Sequence, residues 1–188
     1  MWWDVPPEMR GEWEHWHSNE HMPERLAVPG FLRGSRWVSG NSYFVLYEAS
    51  SIGVLTGGAY LERLNNPTPW SRKMMPHHRN MVRSLCRIRA RFGHGIGQVL
   101  ATIRSDVAQH ALSPLAQRKG ITSACLLESQ AMTGMPPTTE QKIRGGDAEA
   151  GWVALIGGYD ADAVAVAARE VAPQATASLY RLSYLLTA

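Results

Sequence analysis

The chain has 188 residues, 45% of them hydrophobic and 19% charged, with a formal net charge of +3. That length holds one domain or two small ones, and the composition excludes a disordered chain or a fibre. Two widely spaced cysteines, Cys86 and Cys125, make no C-x-x-C pair, which argues against a zinc ribbon or disulfide scaffold and fits a reduced compartment. No apolar run approaches the ~20 residues of a membrane helix, and the Met1–Asp4 stretch lacks the basic and apolar regions of a signal peptide. The expectation is a soluble, cytoplasmic protein.

Trp2 to Val5 reads as a short strand. Pro6-Pro7-Glu8 opens a helix, because proline suits a first turn and an acid complements the dipole there. That helix is expected to run to about Ala27, with Pro23 bending its last turns. Phe31 to Val38 and Tyr43 to Ala49 read as a hairpin around Ser39-Gly40-Asn41-Ser42, followed by a helix over Ile52 to Leu64. Pro67 to Met81 is too rich in proline and polar residues to be regular throughout, and Asn80 to Arg91 is open between strand and helix. Then come a strand over Gly97 to Ile103, a helix over Asp106 to Lys119 and a strand over Ile121 to Glu128. An exposed connector spans Met132 to Gly151. The chain ends with a strand over Trp152 to Tyr159, a helix capped by Asp160, and a strand over Thr176 to Leu186.

The element order thus reads β-α-β-β-α-β twice, which predicts an α+β protein of two ferredoxin-like modules, residues 1–95 and 96–188. The halves share order, not sequence.

The densest chemistry lies in Glu12 to Gly34, which gathers three histidines, two tryptophans and four carboxylates. His17-Ser18-Asn19-Glu20-His21 spells H-x-x-E-H, a zinc-peptidase pattern, but Pro23 follows at once and no third ligand pattern does. No metal is expected. An imidazole titrating near neutrality suits general acid–base work, so His21 is the candidate proton carrier, with His17 beside it and Glu20 or Glu24 orienting it. Activity is then expected to rise with pH through about 6.5. Trp13, Trp16, Trp37, Tyr43 and Trp70 suit a pocket for a flat, partly apolar molecule. Arg25, Arg72, His77, His78 and Arg79 are candidates for holding substrate charge. Each aromatic also suits a plain core role, and the Pro67–Asn80 loop a plain basic surface.

Arg72 to Arg91 carries seven basic residues and no acid. It lacks the interleaved aromatics of single-strand binders, so no nucleic-acid partner is expected. Phe92-Gly93-His94-Gly95-Ile96-Gly97 contains G-x-G-x-G but precedes a strand, which is the wrong context for a dinucleotide fingerprint.

Trp13, Trp16, Glu20, His21, Pro23, Glu24, Arg25, Leu26, Pro29, Gly30 and Phe31 together resemble the first helix and strand entry of EthD-like proteins of the dimeric α+β-barrel superfamily. Arg36-Trp37, Tyr43 to Glu48, Tyr60-Leu61 and Pro67 to Arg72 extend the resemblance over the first half, in a two-module form. It implies two sheets forming a barrel, with a homodimer compatible. It also implies a bacterial small-molecule enzyme of aromatic or polyketide-type catabolism, acting without an organic cofactor. The implied chemistry is proton transfer (isomerase, cyclase or lyase) or cofactor-independent oxygenation. A non-catalytic ligand-binding or assembly protein is the alternative, and a haem-binding member the third reading. Fold analogy alone does not choose among them.

Overall fold

The computed structural model of the chain describes residues 1–130 and 136–188. In chain order, β1 (Trp2–Asp4) is followed by a 3-10 turn that begins on Pro7 and then α1 (Arg10–Trp16). A π-helical turn (His17–His21) leads into α2 (Met22–Leu26). The hairpin is β2 (Phe31–Ser39) and β3 (Ser42–Ala49). The helix expected over Ile52 to Leu64 is two, α3 (Ile52–Thr56) and α4 (Gly58–Asn65), because Gly57 between them is extended (φ −75°, ψ 156°).

Pro67 to Met81, expected not to be regular throughout, contains α5 (Pro69–Met74), which Thr68 caps by accepting from the Ser71 N–H. Asn80 to Arg91, left open by the sequence, resolves into β4 (Arg79–Val82) and β5 (Cys86–Gly93). β6 (Val99–Ile103) comes next. The helix expected over Asp106 to Lys119 shrinks to α6 (Gln109–Leu112) and a 3-10 segment, where Pro114 cannot donate to a helical ladder. β7 (Ile121–Ser129) leads to the connector, whose first part lies outside the described residues. Its later part holds α7 (Thr139–Arg144), closed by a capping box of Thr138 and Gln141 and by left-handed Gly145 (φ 84°). β8 (Trp152–Gly158), α8 (Ala161–Val171, capped by Asp160) and β9 (Ala177–Thr187) complete the chain.

Two compact units result. Unit 1 comprises residues 1–83, 132–149 and 183–188; unit 2 comprises 84–131 and 150–182. These packing limits are drawn differently from a division by element order at 95/96, because the connector and the end of β9 pack with the first unit. In unit 1 the strands run β4-β1-β3-β2, all antiparallel. In unit 2 the order is β9-β6-β8-β7, again antiparallel, with β5 added beside β7. Each unit therefore places its fourth strand beside its first, then the third, then the second. The architecture is α+β, and the strand pairs named here are antiparallel, as the repeated order implies.

Period-2 alternation decides which strand residues meet the helices. In unit 1, Trp3, Tyr43 and Val45 face a core shared with Trp13, Trp16, Met22 and Leu26. In unit 2, Ala101, Ile103, Ala154 and Ile156 meet Val164, Ala167 and Ala168 of α8. The G-x-G-x-G run serves close backbone approach: a Cβ on Gly97 would lie 1.9 Å from the Gly158 carbonyl oxygen.

Candidate active site

The site in unit 1 begins with a proline. Pro23 has no N–H to return to the preceding turn, and the helix responds by widening. The Met22 N–H donates to the His17 carbonyl, five residues back, which is the π-helical spacing. The expected bend is thus taken up as a wide turn. Ser18, whose carbonyl loses its donor at Pro23, receives the Tyr184 hydroxyl at 3.2 Å instead. The turn sets His17 and His21 side by side with ring centroids 5.6 Å apart. Trp13 stacks on His17 at 4.8 Å and Trp16 packs on His21 at 4.5 Å.

Both histidines line a cavity of about 30 Å³, closed further by Trp3, Tyr47 and Tyr60, by Arg25, Arg83 and Arg144, and by Glu140 of α7. That volume suits water or a diatomic molecule; sites for organic ligands typically need some ~300 Å³ or more. The lining carries three guanidinium groups against one carboxylate. Arg25 is buried and donates through Nη2 to Glu140, which also lies 3.6 Å from Arg144. Arg144 makes a second pair with Asp147 at 2.9 Å.

Among the described residues, several polar atoms at this cavity are buried without a hydrogen-bond partner. They are both ring nitrogens of His17, Nδ1 of His21, Nη1 of Arg25, the Tyr47 hydroxyl and the Trp3 indole N–H. Buried polar groups are almost always paired, so such a concentration marks a place built to meet something else. Burial, then the positive charge of Arg36, holds His17 well below the usual histidine pKa. Burial, then Arg25 and His17, does the same for His21. Both imidazoles are neutral near pH 7 and available as bases. Burial raises the Tyr47 phenol, which stays protonated. His78 is different: its Nδ1 contacts the Met75 carbonyl at 3.1 Å and its Nε2 receives the Trp13 N–H at 3.1 Å, which assigns one neutral tautomer and uses both nitrogens. Burial carries its pKa down to about 3.

The other expected site residues lie as follows. Glu20 does not orient His21; its Oε1 accepts from Trp16, Thr68 and Ser71 and ties the π turn to α5. Trp13 backs His17 without lining the cavity. Tyr43 faces the core, but its hydroxyl donates to Glu14 at 2.7 Å. Trp37 pairs with Phe44 and Trp2, the sheet face opposite Trp3, so strand parity keeps it from the cavity. Trp70 packs against His15, Arg72 is exposed, and neither Arg72 nor His77 lines the cavity. Among the described residues no three histidine, cysteine or acidic side chains are grouped as metal ligands.

Glu140, Thr138 and Arg144 were missed because the connector reads as exposed: it is polar and contains proline and glycine. The one available signal was the Thr138/Gln141 capping spacing, which marks a helix start. Tyr47, Tyr60 and Arg83 could only be placed by sheet and helix packing.

Compared by sequence, the chain matches no family model and no curated protein. Compared by fold, it is similar to the crystal structure of an anthrone oxidase-like protein, with TM-score 0.63, 12% identity, and coverage of 99% of this chain and 90% of that one. It is also similar to a proposed monooxygenase of Fusobacterium nucleatum, with TM-score 0.56, 7% identity, and coverage of 99% and 91%. At these identities the likeness is one of fold, an α+β architecture with antiparallel sheet. No described helix is long and apolar enough to cross a membrane.

Proposed function

We propose that this protein is a cofactor-independent oxygenase acting on an acidic aromatic or polyketide-like small molecule, with unit 1 as its active site. The observation that carries the reading is the pair of neutral imidazoles with unpartnered nitrogens in a cavity ringed by arginines. His17 or His21 takes a proton from an acidic C–H or O–H of the substrate. The arginines of the lining steady the resulting anion, which is oxidised by dioxygen with formation of a C–O bond. Loss of water from the hydroperoxide so formed gives the carbonyl of the quinone. The names of the two fold neighbours point the same way. The EthD-like pattern of the first helix, a homodimeric assembly and a cytoplasmic setting belong to the same proposal. A plain proton-transfer enzyme remains the second reading, because the same imidazoles would serve an isomerase or cyclase.

Dioxygen uptake tests the proposal, with anthrone and a carboxylated anthrone as probes. The wild type is expected to consume one dioxygen per quinone formed, and His17→Ala or His21→Ala to lower kcat by roughly 10²–10⁴-fold, the usual contribution of a positioned proton carrier. Unchanged kcat in both variants would remove the imidazoles from the chemistry.

A further inference from the structure

We propose that the Glu140 carboxylate is an internal stand-in for the substrate, occupying Arg25 until an aromatic carboxylate displaces it and lifts α7 from the cavity. The proposal rests on the reading of unit 1 as a substrate site and names the substrate class.

Three observations carry it. First, Arg25 is buried, with Nη2 on Glu140 and Nη1 without a partner, so half of a planar fork that suits a bidentate carboxylate is unused. Second, the cavity is too small for an organic substrate, and Glu140 is one of the groups that fills it. Third, α7 is short and weakly anchored by apolar contact. Of its residues only Ile143 packs with the core of unit 1, and that only partly. It also lies against α4 and the turn Met75–His77, and its polar ties include the Arg25–Glu140 pair and the Thr139 N–H to Asn65 Oδ1 at 3.0 Å. The backbone pairing of Ala148 with Met81 and Arg83 anchors the chain beyond it, so α7 lifts about that point.

An arriving carboxylate can reproduce the Glu140 contact and use Nη1 as well. A flat ring attached to it would lie between Tyr47, Tyr60 and Trp3, the aromatic part of the lining. Released, Glu140 leaves with α7 for water, where a carboxylate is well solvated. Arg144 keeps its pair with Asp147. A tethered competitor acts at an effective concentration in the millimolar range or above, so the apparent affinity for a free carboxylate is lowered by that factor.

The test uses the full chain with benzoate as probe and benzamide as its neutral counterpart. Titration calorimetry on the wild type is expected to show weak benzoate binding and none for benzamide. Glu140→Gln, which removes the competing charge but keeps the shape, is expected to bind benzoate at least about tenfold more tightly. On the wild type, hydrogen exchange of amides 140–146 should quicken when benzoate is added, while amides of α1 stay as they were.

The proposal is overturned if benzoate at ~10 mM does not bind the wild type, if benzamide binds equally well, or if α7 exchange is unchanged or slowed in the complex. A folded Glu140→Gln protein with unchanged or weaker benzoate affinity overturns it too. If that variant does not fold, the exchange result on the wild type decides. None of these readouts involves turnover, so a failed oxygenase reading leaves them standing. Conversely, oxygenation of a neutral substrate with no benzoate effect would sink this proposal alone.

Discussion

At the scale of single residues, unit 1 buries charge and proton carriers in unusual density, and this has consequences for pH. His17, His21 and His78 have folded pKa values below the unfolded value of about 6.5. The unfolded chain therefore binds more protons. The stability these neutral imidazoles contribute is complete above about pH 6.5 and is lost as pH falls toward their folded values. Each contributes a slope of up to ~1.4 kcal/mol per pH unit in that window. Urea midpoints should fall steeply from pH 7 to pH 5, and His78→Gln should flatten the fall by about a third. Equal slopes in the two proteins would contradict the placement of His78. The same burial moves the expected activity limb at pH ~6.5 to lower pH, so kcat should be nearly flat between pH 6 and 8. A limb centred near 6.5 would mean that another group, or a hydrated histidine, is the base.

Arg25 and Glu140 form a buried pair, whose separate loss costs more than its joint removal. Arg25→Met is expected to destabilise by up to about 3–5 kcal/mol, because it leaves the buried Glu140 carboxylate only the longer contact to Arg144 at 3.6 Å, and the Arg25→Met/Glu140→Leu double variant by less. Additive losses in denaturant unfolding would show that the two groups act separately. This holds irrespective of any substrate.

Secondary-structure elements carry the second set of consequences. The π turn depends on Pro23 lacking a donor and on Tyr184 supplying one. Tyr184→Phe should cost about 1 kcal/mol, the usual net value of one hydrogen bond, and should loosen the histidine pair. The measurement is a thermal melt together with the His17 and His21 ring signals in NMR. An unshifted melt would mean that water replaces the hydroxyl. A parallel loss of about 1 kcal/mol is expected for Thr138→Ala, since the Gln141 N–H loses its side-chain acceptor while the backbone N–H at 138 keeps Gln141 Oε1.

For the molecule as a whole, the interleaving of the chain between the two units matters most. Unit 1 needs residues 132–149 and 183–188, which supply Glu140, Ile143, Tyr184 and Leu186. A fragment of residues 1–95 keeps Arg25 and lacks its partner, and is expected to show no cooperative melt by circular dichroism. Unit 2 retains its whole core in 84–131 and 150–182, and the Ser129 N–H donates to the Gly151 carbonyl at 2.8 Å, so the ends of the two pieces are close. Residues 84–182 with 132–149 replaced by a short flexible linker should therefore fold cooperatively. A cooperative 1–95 fragment would refute the dependence on the connector.

The sequence by itself determined the repeated plan of strands and helices, the α+β class and the richness of the first helix, though not α5, α7 or the division of Asn80 to Arg91 into two strands. These are local matters: apolar period, proline and glycine positions, and capping residues act over a few neighbours, and they are written in consecutive letters. The pairing of His17 with His21 was legible for the same reason. What only the tertiary structure decided is which side chains share the cavity. Strand parity sent Trp37 to the far face and Tyr47 to the near one, although both are aromatics of one hairpin. Glu20 and Glu140 are both acids, yet the nearer in sequence went to Trp16, Thr68 and Ser71, and one 115 residues away from Arg25 became its partner. Burial of a charge depends on what the whole fold can bring to it, and no local pattern in the chain records that.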